Sequence, residues 1–405
     1  FANNRELRPG GGFIGSFGVL NLGNLSLKKI EIYDVYDADG QLKIHIEPPF
    51  PIKQYLHQPH WYLRDSNFSP DFYENYEKAK FFLKEELGWD NFDGSILITT
   101  SAVEEILKAY EKIYLPDFKE EVNSDNFFIK AQMYSEKNFF PGSIQKKSFL
   151  SSLIRQFLIN TDAISYIKLF KGVKKSLDEK KIVAYFEDQD LQSTIDKFYY
   201  SGRIIKPKCS YLTLDCLNDY LFFYDANLGV NKANFYIKKQ AILYINVDSQ
   251  GKIKQTLSLE YQNDSPNLVF PGGIYRNYFQ ILLPKSAQLE EITKDGVLIE
   301  NFDLDENNSY FKRVGFYFEI YPQKKTVIKI NYWLLEKLKK GRNIYQLIIQ
   351  KQIGSENNDL ILNLFLPKNI NLVNQNFNPL VNDENIVYNT ILDSDKIFFM
   401  ELVKN

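Results

Sequence analysis

At 405 residues the chain exceeds what one ordinary hydrophobic core supports, so two or three domains are expected. Its hydrophobic (44%) and charged (25%) shares are those of a globular protein, and a net charge of -2 argues against a nucleic-acid binder held by bulk electrostatics. No apolar run reaches the ~18 residues that a membrane helix needs.

The chain opens directly on a dense polar motif, Asn3-Asn-Arg-Glu-Leu-Arg-Pro-Gly-Gly-Gly12. A natural protein rarely begins inside its richest motif, so a fragment is expected, with a membrane anchor and a first strand upstream. Residues 13–22 form an apolar, glycine-interrupted run and read as a central strand. Strands are expected at 30–36 and 41–47, where Leu42, Ile44 and Ile46 alternate with Lys43, His45 and Glu47. The Pro- and His-rich stretch 48–61 reads as a loop. It includes His57-Gln-Pro-His60, where Pro59 disfavours helical metal-ligand geometry.

A helix is expected from Ser69, with Ser69 as cap, Pro70 in the first position and Asp71 facing the positive dipole. Gly88 ends it. A short buried strand at 95–100 precedes Ser101-Ala-Val-Glu104, a capping-box pattern with Val103, Ile106, Leu107 and Tyr110 as the buried stripe. Helices at 143–160, 162–180 and 190–198 and a strand at 182–186 complete an α/β domain over 1–205. Strands at 206–250 would complete or link that domain. Beyond 251, short strands with turn signals predict a β-sandwich-like C-terminal region to residue 405, with a loop at 369–385.

Polar chemistry concentrates in three places. In the first, Gly10, Gly11 and Gly12 allow backbone N–H groups to converge on an anion beside Asn3, Arg5 and Arg8, whose guanidinium forks suit phosphate. The alternative there is an ordinary Arg–Glu6 ion pair beside a tight turn. In the second, Arg64, Asp65, Asn67 and Asp71 gather at a helix start, where Asp65, Asn67 and Asp71 are hard oxygen donors of the kind magnesium accepts. A surface Arg64–Asp65 pair beside a plain helix cap would use the same residues. The third, Asp225-Ala-Asn227-Leu-Gly-Val-Asn-Lys232, offers either a polar pocket or a β-turn. Cys209 and Cys216 could be bridged in an oxidising compartment or sit reduced in a core.

The motifs Asn4-Arg-Glu-Leu-Arg-Pro-Gly-Gly-Gly-Phe-Ile-Gly-Ser, Trp61-Tyr-Leu-Arg-Asp-Ser-Asn-Phe-Ser-Pro-Asp-Phe and Asp93-Gly resemble the bacterial family catalogued as domain of unknown function 4012. Asp225-Ala-Asn-Leu-Gly-Val-Asn-Lys-Ala-Asn and Tyr345-Gln-Leu-Ile-Ile-Gln-Lys-Gln-Ile-Gly are similar to its downstream region. More distantly, the first domain resembles the LytR-CpsA-Psr family, whose strand-end Pro-Arg-Asp is echoed by Leu63-Arg64-Asp65. That resemblance implies a mixed sheet with flanking helices and a magnesium-dependent glycopolymer transferase. Arg5, Arg8 and Arg64 would hold a polyprenyl pyrophosphate and neutralise charge on the leaving group, while Asp65, with Asp71, would hold the metal or take the proton from the acceptor hydroxyl. The first resemblance implies an extracytoplasmic, membrane-anchored parent, and the second a polyprenyl-linked glycan and a cell-envelope acceptor as partners; the net charge argues for no nucleic acid. The alternative is a non-catalytic cell-surface or envelope-assembly protein on a degenerate transferase-like scaffold.

Overall fold

The computed structural model describes residues 1–23, 26–136, 144–159, 165–209, 215–356, 358–382 and 385–405. Residues 143, 160 and 162–164, at the edges of two expected helices, lie outside them, as do 383–384 of the expected loop at 369–385. The protein is mixed α/β and divides into two units, Phe1–Arg203 and Ile204–Asn405.

The first unit contains β1 (Ala2–Asn3), β2 (Phe13–Ile14), β3 (Ser16–Gly23), β4 (Ser26–Asp34), α1 (Val35–Asp39) and α2 (Phe50–Tyr55). A 3-10 turn, Leu63–Asp65, leads to α3 (Phe72–Leu87), β5 (Gly94–Ile98), α4 (Thr100–Leu107), β6 (Ile113–Leu115) and β7 (Glu120–Val122). Then come α5 (Phe127–Glu136), α6 (Ile144–Ile159), α7 (Tyr166–Asp178), β8 (Ile182–Phe186) and α8 (Gln189–Lys197). Among the described residues its strands pair only two by two: β1 with β2, β3 with β4, β5 with β8 and β6 with β7. A single parallel bridge, Ala2 to Thr99, sets the N-terminal pair beside the end of β5.

Several expectations change here. Residues 13–22 do not form a central strand. Their main part, β3, is one arm of a hairpin with β4, packed on one side where Phe17 stacks on Tyr33 at 5.3 Å, while Leu20 and Leu22 are exposed. Residues 41–47 form no strand: Leu42 and Ile46 pack against the core beside Val35 and Phe82, but no neighbouring strand pairs with them. The 48–61 loop contains α2, which tolerates Pro51 because the first helical turn needs no amide donor there.

Helix α3 starts at Phe72, with Asp71 as its cap accepting from the Tyr73 N–H at 2.9 Å. Pro70 disfavours helical backbone at Ser69, whose hydroxyl instead accepts from the Asp71 N–H at 3.1 Å. Gly88 closes the helix in the left-handed conformation expected of it. The cap of α4 is Thr99, not Ser101, so Ser101 and Glu104 of the expected capping box are helical residues freed for other contacts.

The second unit is built on two larger sheets. Its strands are β9 (Asp215–Asn227), β10 (Ile237–Val247), β11 (Lys252–Asn263), β12 (Tyr275–Pro284), β13 (Gln288–Lys294), β14 (Val297–Leu298), β15 (Asp303–Asp305) and β16 (Phe311–Ile320). β17 (Lys324–Lys337), β18 (Gly341–Ile349), β19 (Asn358–Phe365), β20 (Ile370–Gln375), β21 (Leu380–Asn382), β22 (Asn385–Ile391) and β23 (Lys396–Lys404) follow. Eight strands order as β14-β13-β17-β11-β10-β19-β22-β21 and seven as β15-β16-β12-β9-β18-β23-β20. One apolar core draws alternate residues from both, such as Leu243 and Leu257 from one sheet and Phe279 and Leu347 from the other. That interleaving makes the unit a β-sandwich. In 206–250, where strands were expected to complete or link the first domain, β9 and β10 are hydrogen-bonded to β12, β18, β11 and β19. The expected loop at 369–385 contains β20 and β21; its many Asn residues occupy sheet edges, where side chains face water.

Candidate functional site

The first polar motif folds back on itself. β1 and β2 pair through Asn3 and Phe13, so the intervening loop must close tightly. The Asn3 side chain accepts from the Arg5 N–H at 3.1 Å, and its carbonyl accepts from Glu6 at 3.0 Å. Gly12 sits at φ 140°, where a Cβ would come within 2.3 Å of the Asn3 carbonyl oxygen, so only glycine fits. The Gly10 N–H donates to the Asn67 carbonyl and the Gly11 N–H to the Arg8 carbonyl, both at 3.0 Å. These amides close the loop and do not converge on an anion, which corrects the expected cradle. Asn67 fastens the same loop by donating from Nδ2 to the Gly12 carbonyl.

Arg8 is 1% exposed. Its Nε donates to Asp65 Oδ1 at 3.1 Å and its terminal nitrogen to Glu6 Oε1 at 3.0 Å. Burial alone would lower its pKa, but the Asp65 and Glu6 carboxylates raise it above the ordinary value. Arg64 leaves the 3-10 turn toward Asp39, donating at 2.8 Å, and toward Gln58 at 3.2 Å. Its Nε lies 3.8 Å from the second oxygen of Asp65, and its guanidinium stacks 4.2 Å from the Tyr62 ring centroid. Arg8, Asp65 and Arg64 are therefore brought together. Arg5 is not part of that cluster: it pairs with Glu104 of α4 at 3.2 Å and lies over the Phe128 ring.

Two members of the cluster were not anticipated. Asp39 ends α1, and burial raises its pKa to about 6 against the opposing pull of Arg64. Glu86 is 7% exposed on α3, and among the described residues neither carboxyl oxygen has a hydrogen-bond partner. The Leu63 amide faces Glu86 outside hydrogen-bond geometry, while burial, reinforced by Asp39, pushes its pKa up to about 8. The helical period contained the signal: Phe72, Tyr76, Ala79, Phe82, Leu83 and Glu86 share the inward face of α3, so a carboxyl there must be buried.

The result is a chain of charge running Glu6, Arg8, Asp65, Arg64, Asp39, with Glu86 beside it. Four carboxyl groups face two guanidinium groups. Magnesium was expected at Asp65 and Asp71, but the Asp65 oxygens face arginines and Asp71 caps a helix. No group of three or more His, Cys, Asp or Glu side chains could hold a metal among the described residues. As arranged, these residues do not fit a divalent cation. His60 pairs with His45 at 2.7 Å on the surface, not with His57.

The third motif lies in the second unit. Asp225 is buried and accepts from Lys239 Nζ at 2.7 Å, Tyr261 Oη at 2.9 Å and Asn277 Nδ2 at 2.6 Å. Asn227 shapes the following turn, accepting from the Gly229 N–H at 3.0 Å and donating to Asn234 at 3.0 Å. The Lys232 N–H donates to the Pro271 carbonyl at 2.9 Å, and its ammonium lies 5.8 Å from the Phe270 ring centroid. Cys209 and Cys216 are joined as a disulfide, with Cα atoms 6.2 Å apart.

Residues 1–134 match the family model described as protein of unknown function (DUF4012). No curated protein matches the chain. Among solved structures, a Legionella pneumophila protein described as a candidate nutrient binding protein is 9% identical, with TM-score 0.30 over 47% of this chain and 70% of that one. An M1 zinc metallopeptidase from Deinococcus radiodurans is 6% identical, with TM-score 0.24 over 42% of each chain. Yeast LTA4 hydrolase is 8% identical, with TM-score 0.27 over 41% of this chain and 29% of its own. The chain thus spans less than half of either hydrolase. Likenesses this weak carry no argument about fold or chemistry.

Proposed function

We propose that this chain is an extracytoplasmic, non-catalytic binding or assembly protein, in which the arginine-rich motif of the first unit is an internal framework of charge. One observation carries the reading: Arg5, Arg8 and Arg64, the residues a pyrophosphate would need, are each paired with a carboxylate of the same unit. A diphosphate would have to displace those carboxylates and then sit among them, in a cluster that already holds more acids than bases. The disulfide supports an oxidising compartment, where such bonds persist.

A second reading, binding of a polyprenyl-pyrophosphate glycan with or without transfer, is favoured by the convergence of Arg8, Asp65 and Arg64 and by the partial exposure of Arg64. One experiment separates the two. The purified chain is incubated with a polyprenyl-pyrophosphate oligosaccharide, with and without magnesium, and both binding and carrier release are followed. The non-catalytic reading expects neither. Magnesium-dependent release lost in Asp65→Ala would replace it with a transferase, and saturable binding lost in Arg64→Ala, without release, would replace it with a lipid-carrier receptor.

A further inference from the structure

Helix α7 is amphipathic twice over. Its inner face carries the buried Gly172 and Ser176, and Gly172 lies so close to α4 that a Cβ would come within 3.0 Å of the Glu105 carbonyl. That side is committed to the core, with Leu169 packed against the cluster of Val103, Leu107 and Phe149. The outer face should then be polar. It is not: Tyr166, Ile167 and Phe170 are 67%, 71% and 70% exposed.

Ile167, Phe170, Lys171 and Lys174 recur at helical spacing and form one outward stripe. Four lysines stand against one aspartate between Tyr166 and Asp178, a net charge of +3. The aspartate, Asp178, is engaged by Lys174 at 2.6 Å and by the Tyr200 hydroxyl at 2.8 Å. Glu179, at the C-cap, lowers the net charge to +2. Lys168 reaches Glu111 at 3.6 Å, and Lys175 reaches Glu105 at 3.2 Å and Glu179 at 3.8 Å, and those exposed lysine contacts are readily exchanged for others.

We propose that the outer face of α7 docks on an anionic phospholipid surface, with Tyr166, Ile167 and Phe170 entering the headgroup boundary and the lysines meeting lipid phosphates. Charge complementarity selects this occupant. A basic stripe continuous with bare aromatic and aliphatic groups matches a layer that is apolar beneath and negatively charged above. With 13 residues α7 is too short to cross a bilayer, so the contact is along the surface. Polar residues would make an equally good solvated face, which gives the three exposed apolar side chains a purpose beyond solubility.

Flotation of the whole chain with vesicles tests this. The comparison is phosphatidylglycerol–phosphatidylcholine mixtures against phosphatidylcholine alone, at low and high salt. Association with the anionic vesicles is expected, at least about tenfold stronger than with neutral ones and weakened by salt. The double substitution Ile167→Glu and Phe170→Glu should abolish it. Because that pair could disturb folding, Phe170→Ser is run alongside, with circular dichroism for both, and a several-fold loss is expected. Absence of vesicle binding, or equal binding to neutral vesicles, overturns the proposal. Concentration-dependent self-association removed by the same substitutions, without vesicle binding, overturns it in favour of a second copy of the chain.

Discussion

Replacing Glu86 with Gln gives the sharpest test of the charge cluster. The folded chain holds the Glu86 proton up to about pH 8, whereas the unfolded chain releases it near 4.5. Folding therefore takes up a proton between those values, and stability falls as pH rises across that window and levels off above it. Asp39 acts in the same direction but over a lower window, from 3.8 to about 6. Between about pH 6.5 and pH 8 only the Glu86 contribution remains, with a ceiling of roughly 2 kcal/mol. Water and Arg64 reaching the ionised carboxylate reduce that to about 1 kcal/mol. Amide hydrogen exchange on peptides from α3, corrected for intrinsic rates, reports opening of this segment directly. The wild-type chain should lose about 1 kcal/mol of protection between about pH 6.5 and pH 9, and Glu86→Gln, a close match to the protonated form, should lose none. An equal loss in both chains would refute the assignment of the buried proton to Glu86.

Arg8→Ala should be far more damaging, destabilising the first unit by about 3–5 kcal/mol, because Glu6 would be left buried without its cation and Asp65 with Arg64 alone at 3.8 Å; urea unfolding followed through Trp61 and Trp89 measures it. Gly12→Ala should cost about 1–3 kcal/mol through the strained backbone alone, seen as a lowered midpoint in the same assay. Removing the disulfide by Cys209→Ser with Cys216→Ser should destabilise the second unit by about 2 kcal/mol, as expected for a short loop, with reductant lowering the wild-type melting temperature to match. Lys239→Met should cost about 3–5 kcal/mol by stranding Asp225, and adding Asp225→Leu should recover part of it in calorimetry.

Much of the architecture was legible because local signals agreed with the final packing. The 182–186 strand is β8 with the same limits, and Gly88 ends α3. The sandwich strands also stood out, since beyond 251 short strands are set off by turn signals, as β11 and β17 are. What failed depended on partners distant in sequence. Alternation in 41–47 looked like a strand, yet a strand requires a neighbour, which the sequence does not display. The site was half readable for the same reason. Arg8, Arg64 and Asp65 were singled out by their chemistry, but nothing near Arg5 reveals that Glu104 will claim it. Glu86 looked like any helical acid until its place on the inward face of α3 was considered beside Asp39.

The sandwich also dictates an order of events during synthesis. β9 lies parallel to β18, with Asp215 against Asn343, and β10 lies parallel to β19, with Lys239 against Asn358. Each early strand waits in its sheet for a neighbour encoded more than a hundred residues later. A ribosome that has released β9 and β10 must deliver residues 341–365 before either sheet can close around its middle. Until then both nascent sheets present bare edges, and a chain stopped short of β18 would be prone to pair with another copy of itself.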